Sequence, residues 1–279
     1  MRGRVAQLTD THIVREGSAY LGIDTSRYLS DALEAVSALE PLPDYIVVTG
    51  DLVNSGGTAQ YERFHEIMSH ARLPYFVIPG NHDDRATMRA TLAPETYGRV
   101  AETKLHFTID GFAIRFIGLD CNRPRPWPGA LADAATLEWL DAVLAQSPGR
   151  PTIVAVHQPP FKTGLHYLDV AGFIGRSRLR RVVDRHPHVR AVISGHIHCV
   201  RSVPWANATA STAASTSPQP VPLLFTQRRI IGIAHESAGF AIHDLHDDGS
   251  FVRTDYRRDG TGRYLTDRDA NALGANTKP

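Results

Sequence analysis

The chain has 279 residues, 30 Lys plus Arg against 29 Asp plus Glu, a formal charge of +1 and 42% hydrophobic residues, the profile of a globular chain with a large core. The near-neutral balance leaves no basic footprint for nucleic acid, and no apolar run approaches the roughly 18–20 residues of a membrane span. Two cysteines far apart, Cys121 and Cys199, make no disulfide framework, and the opening MRGRVAQLTD has no apolar segment of signal-peptide length, so a cytoplasmic location is expected.

In chain order, Val5–Leu8 reads as a strand. Arg27–Leu39 reads as an amphipathic helix, with Leu29, Leu33 and Val36 on one stripe and Pro41 beyond its end. Tyr45–Val48 is a buried-strand run, Ala59–His70 a helix and Tyr75–Ile78 a third strand. This βαβαβ start predicts a parallel sheet covered by helices. Leu105–Ile109 and Phe112–Leu119 flank Asp110-Gly111, a two-residue hairpin signal. Ala134–Leu144 and Ser177–Asp184 read as helices, and Thr152–Val156 and Val189–Ile193 as strands. Val221–Ile233, Phe240–Leu245 and Phe251–Tyr256 are strand candidates, with Asp248-Gly249 as a second hairpin turn.

Parallel early strands followed by hairpins predict an α/β fold, a four-layer αββα sandwich of two packed mixed β-sheets flanked by helices. One domain is expected over residues 1–266, the hairpin region 221–257 completing the second sheet and 267–279 forming a mobile tail. Three loops stand out: Val14–Asp24, Gln158–Gly175, and Asn207–Pro220 (NATASTAASTSPQP), whose small polar composition reads as a linker.

The unusual count is 14 histidines. Some of them are placed. Asp10-Thr11-His12, Gly50-Asp51, Gly80-Asn81-His82-Asp83, His157 and Gly195-His196-Ile197-His198 each follow a predicted strand. The carboxyl ends of parallel strands face one crevice, so these groups can converge. On extended backbone, residues two apart point the same way, which aligns Asp10 with His12 and His196 with His198. The candidate ligands are Asp10, His12, Asp51, Asn81, His157, His196 and His198. Imidazoles, carboxylates and an amide oxygen suit Mn, Fe, Zn or Co. Seven ligands exceed one tetrahedral ion and fit two divalent metal ions sharing a carboxylate. Two such ions against two aspartates leave a positive site, suited to hydroxide and an anionic phosphate.

At these residues the chain resembles the calcineurin-like metallophosphoesterase superfamily. Its pattern of D-x-H, G-D, G-N-H-D/E, H and G-H-x-H is present in order from about Val5 to His198. Within it, LTDTH (8–12), YLGIDT (20–25), TGDLVNSG (49–56), PGNHDD (79–84), HQPP (157–160) and SGHIH (194–198) are similar to the class III cyclic-nucleotide phosphodiesterases and their glycerophosphodiesterase relatives. The resemblance implies that Asp10, His12 and His198 hold one ion and that Asn81, His157 and His196 hold the other. Asp51 would bridge, and His82 would sit by the phosphate as the catalytic group, stabilising it or protonating the leaving oxygen. Many relatives read H-H-P where this chain has His157-Gln158-Pro159. The activity implied is hydrolysis of a small phosphodiester by hydroxide generated at the ions, a 3',5'-cyclic nucleotide before a glycerophosphodiester. Phosphomonoesterase and non-catalytic scaffold readings stand behind these. Self-association into a homo-oligomer is also implied.

Asn81 and His82 are expected to touch substrate, and Tyr20 and His166 lie in loops that could overhang it. Asp83 and Asp84 follow the Asn81-His82 pair, and Asp83 reads equally as orienting His82 or a ligand histidine or as a solvated turn or helix-capping aspartate. Cys199 reads as a packed apolar thiol, and the basic run Arg176–Arg185 as the solvated side of a helix.

Overall fold

The computed structural model describes residues 2–97, 104–123, 129–217, 220–226, 229–235, 238–259 and 261–266, and gives no side chains for 166–167, 171 and 220–237. The expected tail 267–279 lies outside the described residues. In chain order the elements begin with β1 (Gly3–Leu8), α1 (Thr25–Ser37), β2 (Tyr45–Val48), α2 (Thr58–Ser69), β3 (Tyr75–Val77) and α3 (Arg85–Thr91). The middle holds β4 (Phe107–Ile109), β5 (Arg115–Leu119), β6 (Ala130–Leu131), α4 (Ala134–Ala145), β7 (Thr152–Val156), α5 (His166–Ala171), β8 (Phe173–Ile174), α6 (Arg176–Asp184) and β9 (Val189–Ser194). The last part is all β: β10 (Arg201–Trp205), β11 (Ala208–Thr212), β12 (Pro220–Thr226), β13 (Arg229–His235), β14 (Gly239–Leu245), β15 (Phe251–Arg258) and β16 (Tyr264–Thr266).

Two six-stranded mixed sheets carry the fold, in the orders β16-β15-β14-β1-β2-β3 and β10-β11-β9-β7-β5-β4. Val5, Tyr45, Val47, Phe107, Phe116, Ile153 and Ile193 fill the layer between them. Ala6, Leu8, Ile46 and Val48, on the opposite faces of the same strands, pack with Leu29, Leu33, Phe64 and Met68 of α1 and α2. Leu140, Leu144, Leu179 and Val183 of α4 and α6 cover the second sheet in the same way. The central strands are therefore apolar on both faces, which is why they read as continuous runs rather than as alternation. α1 buries the predicted stripe of Leu29, Leu33 and Val36 and starts at Asp24, whose carboxylate accepts from the Arg27 amide at 3.1 Å.

Three expectations are corrected. The turn after β4 is longer than two residues: Ile109 pairs with Phe116, and Gly111 is not left-handed. A tight primed turn needs positive φ there, and instead the Asp110 carboxylate is drawn to Arg115 at 2.7 Å and Arg150 at 3.4 Å. The region 221–257 does not complete one sheet. Among the described residues β12 and β13 pair only with each other, while β14 and β15 extend the first sheet beside β1. Finally, the stretch 207–220 is not a linker, because β11 lies within it, parallel to β9. Its Ala, Ser and Thr residues are small enough for an interior site, and the hydroxyls of Thr212 and Ser215 find backbone acceptors.

Candidate metal centre

All the placed residues stand at carboxyl ends of strands. Asp10 and His12 follow β1, Asp51 follows β2, Asn81 and His82 follow β3, His157 follows β7, and His196 and His198 follow β9. Both sheets therefore contribute. The backbone there is not extended. Asp10, His12, Asp51, His196 and His198 have φ of 51°, 43°, 50°, 71° and 56°, in the left-handed region that costs a non-glycine residue energy. Each donor pair is aimed by left-handed turns, not by strand alternation as the spacing suggested. Close approach explains two glycines. A Cβ on Gly80 would lie 2.1 Å from the Asp51 amide and carboxylate, and one on Gly195 would lie 1.9 Å from Thr9 Oγ1.

The donor atoms converge in overlapping sets. Asp10, His12 and His198 form one, Asp51, His157 and His196 another, and His12, Asp51 and His82 a third that links them, with the ligating atoms of each set within 4.8 Å of one another. His12 Nε2 lies 3.3 Å from His198 Nε2, and His198 Nε2 lies 3.5 Å from Asp10 Oδ1. His157 Nε2 lies 3.1 Å from Asn81 Oδ1 and 3.2 Å from Asp51 Oδ2. The same Asp51 oxygen is 3.6 Å from His12 Nε2, so it stands between the two sets. The His157 ring is oriented by its Nδ1–H, which donates to the Thr49 carbonyl at 2.8 Å. The His196 amide donates to the Asp10 carboxylate at 3.0 Å, and the His82 amide to Asp51 Oδ1 at 2.8 Å.

The charges fit cations. Burial pushes the Asp10 carboxyl up, but His198 and His157 outweigh it and hold it below the ordinary value. Burial acts on Asp51 in the same sense, and His157 with His12 overcomes it by more. Burial lowers His12 to about 4 and His196 to about 3, which keeps both rings in the neutral, ligating form. Burial also disfavours charge on His157, but facing Asp51 raises it to about 9. A cation bound by these groups would displace that proton, since metal binding releases protons from its ligands.

His82 turns Nδ1 to the Asn54 carbonyl at 2.7 Å, and its ring meets His12 edge-on at 4.6 Å. Tyr20 stacks on His12, with ring centroids 5.2 Å apart and planes 6° from parallel. The side chain of His166 lies outside the described residues; its backbone opens α5. Gln158 donates to Asn122 Oδ1 at 2.7 Å, and Asn122 donates to the Pro79 carbonyl at 2.6 Å, so the end of β7 is tied to the loop that carries Asn81. Cys199 is buried with Leu165 and Ile197, and Arg178, Arg180, Arg181 and Arg185 face solvent.

Two further groups support the donors, one left ambiguous by its motif and the other outside the motifs. Asp83 is buried and gathers the amides of Leu52 at 3.1 Å, Val53 at 3.3 Å and Gly80 at 2.7 Å, with the Tyr61 hydroxyl at 2.9 Å. It fastens the Asp51 loop to the Asn81 loop, while Asp84 caps α3 through the Thr87 amide at 2.8 Å. The segment after β11 straps the other side. Ser215 Oγ donates to the Asp10 carbonyl at 2.8 Å, and the Thr216 amide to the Thr9 carbonyl at 3.1 Å.

The profile of the calcineurin-like phosphoesterase family matches residues 3–200. A probable glycerophosphodiester phosphodiesterase GpdQ from Arcobacter nitrofigilis is 34% identical over 218 residues, 77% of this chain and 79% of that protein. The 3',5'-cyclic adenosine monophosphate phosphodiesterase CpdA of Escherichia coli is 30% identical over 269 residues, 95% and 93% of the two chains. Among solved structures, a dimetal phosphatase from Danio rerio superimposes with a TM-score of 0.70 at 15% identity, covering 95% and 98%. That last likeness speaks to the fold.

Proposed function

The chain belongs to the calcineurin-like phosphoesterase family, and we propose that it is a phosphodiesterase working with two divalent ions on a 3',5'-cyclic nucleotide. One observation carries the dinuclear reading: Asp51 Oδ2 stands between His12 Nε2 and His157 Nε2, so a single carboxylate oxygen serves both donor sets. Asp10, His12 and His198 would hold one ion, Asn81, His157 and His196 the other, and Asp51 both. Neutral imidazoles, two carboxylates and an amide oxygen fit Mn, Fe, Zn or Co. When bound, such ions neutralise phosphate charge and lower the pKa of water toward 7.

The chain's own groups do the rest. Asn81 and His82 border the place where a phosphate would sit. With His82 Nδ1 committed to Asn54, the other ring nitrogen is the one that can hand a proton to the departing oxygen. Tyr20 holds the His12 ring flat and walls that side of the site. The relative matched over nearly the whole chain is named for cyclic AMP, which favours that substrate; the GpdQ name supports a glycerophosphodiester as the second reading. A formal charge of +1 argues against a nucleic-acid partner. Among the described residues no helix is long and apolar enough to cross a membrane. Cytoplasmic location and self-association belong to the same proposal.

A paired hydrolysis assay tests it. Protein stripped of metal and reloaded with manganese is given an aryl phosphodiester, the matching monoester and cyclic AMP. Fast turnover of the diester and of cyclic AMP, with slow monoester turnover, is expected. Preference for the monoester would overturn the diesterase assignment, and diester turnover without cyclic AMP turnover would move the substrate to the second reading.

A further inference from the structure

Within the largely apolar layer between the two sheets, the side chains of Gln7, Thr49 and His243 form a buried polar group beneath the donor cluster, joined by the backbone carbonyl of Ser194. Gln7 lies on β1 in the same orientation as Val5 and so faces the second sheet. Its Nε2 donates twice, to Thr49 Oγ1 at 3.1 Å and to the Ser194 carbonyl at 3.0 Å. Its Oε1 accepts from His243 Nε2 at 3.0 Å. Thr49 immediately follows β2 in the first sheet, and Ser194 ends β9 in the second. The two strand ends held by one amide lead directly into Gly50-Asp51 and Gly195-His196.

Both ends are also tied to a third donor. The Thr49 carbonyl accepts the Nδ1–H that orients His157. The Gly195 amide donates to the His157 carbonyl at 3.0 Å. A shift of one sheet against the other would therefore pull Asp51 away from His157 and His196, which stand together on the second sheet.

The polar group is costly. His243 Nδ1, on one of its members, is buried without a hydrogen-bond partner among the described residues. An apolar side chain at position 7 would suit the surrounding layer, so packing alone gives no reason for an amide. The His243 ring, kept neutral by burial and by Arg253, has one N–H, and the contact with Gln7 Oε1 uses it.

We infer that Gln7 is a positioning residue, whose amide clamps the ends of β2 and β9 in the alignment that brings Asp51, His157 and His196 to one cation. This rests on the dinuclear reading above, and the test separates the two. Manganese(II) is titrated into wild type and Gln7→Leu, with ion count and affinity read by calorimetry and elemental analysis. The exchange-coupled signal of a manganese pair is read by electron paramagnetic resonance.

Wild type should bind two ions and show the coupled signal. Folded Gln7→Leu should bind its second ion at least tenfold more weakly and lose the coupling at an equal manganese concentration. Folded Gln7→Leu with wild-type binding and coupling would overturn the inference. Should Gln7→Leu not fold, Thr49→Val carries the same two outcomes, because it removes the hydroxyl and keeps the carbonyl that orients His157; Thr49→Ser should then restore wild-type behaviour. A wild type that binds no pair would overturn the dinuclear reading itself.

Discussion

β1 and the segment 208–217 both end on the backbone of Asp10, yet they are coded by different chemistry. β1 is mostly apolar, and its Val5, Ala6 and Leu8 are fully buried between the opposite sheet and the helices. From Ala210 onward the segment ATASTAASTS is equally buried, with Ala210, Ala213, Ser215, Thr216 and Ser217 almost inaccessible. Its interior place is secured by small volume and returned hydrogen bonds: Thr212 Oγ1 to the Cys199 carbonyl at 2.7 Å and Ser215 Oγ to the Asp10 carbonyl at 2.8 Å. Burial needs satisfied polar groups as much as apolar ones, and a run of Ala, Ser and Thr can meet that need where space is tight. The apolar half supplies the frame, and the small polar half fastens the site to it.

That division of labour can be broken from either side. Removing the shared carboxylate comes first. Asp51→Ala should bring turnover to background and leave fewer than two ions bound; full activity with normal metal content would remove the site assignment altogether. Next is His82→Ala, which should slow turnover about 10²–10⁴-fold with both ions retained. Loss of metal in that variant, seen by elemental analysis, would recast His82 as a ligand. Gly195→Ala pushes a methyl group toward Thr9 and Asp10, at 1.9 and 2.5 Å in the unrelaxed structure, so metal affinity should fall roughly 10–100-fold, a loss of the size seen when the groups orienting ligands are disturbed. Unchanged affinity would show that the β9 turn relaxes freely. Ser215→Ala is the mildest. It removes one hydrogen bond to the Asp10 carbonyl and should cost about 0.5–1.5 kcal/mol in denaturant unfolding. No change would sever the strap from the frame and undo the comparison.

The frame was legible because its strands are short apolar runs, and Tyr45–Val48 and Thr152–Val156 match their predicted limits. The donor residues were legible as types following strands, and the structure brings Asp10, His12, Asp51, Asn81, His82, His157, His196 and His198 together. How they are aimed was not legible. Left-handed φ at Asp10, His12 and His198 leaves no mark in a sequence when the residue is not glycine. Asp83 was ambiguous because a buried acceptor for three amides has the same letter as a solvated cap. β12 and β13 were read as one strand because Val221–Ile233 is largely apolar, with only Thr226-Gln227-Arg228-Arg229 to mark a turn. Gln7 and His243 carried no signal, since a polar residue within an apolar strand names no partner until the opposite sheet is in place.

The most direct measurement is anomalous diffraction from crystals soaked in manganese(II). Two peaks roughly 3.5–4 Å apart are expected. One should lie among Asp10, His12 and His198, the other among Asn81, His157 and His196, with the Asp51 carboxylate between them. A single peak, or a pair that Asp51 does not touch, would contradict the shared-carboxylate centre.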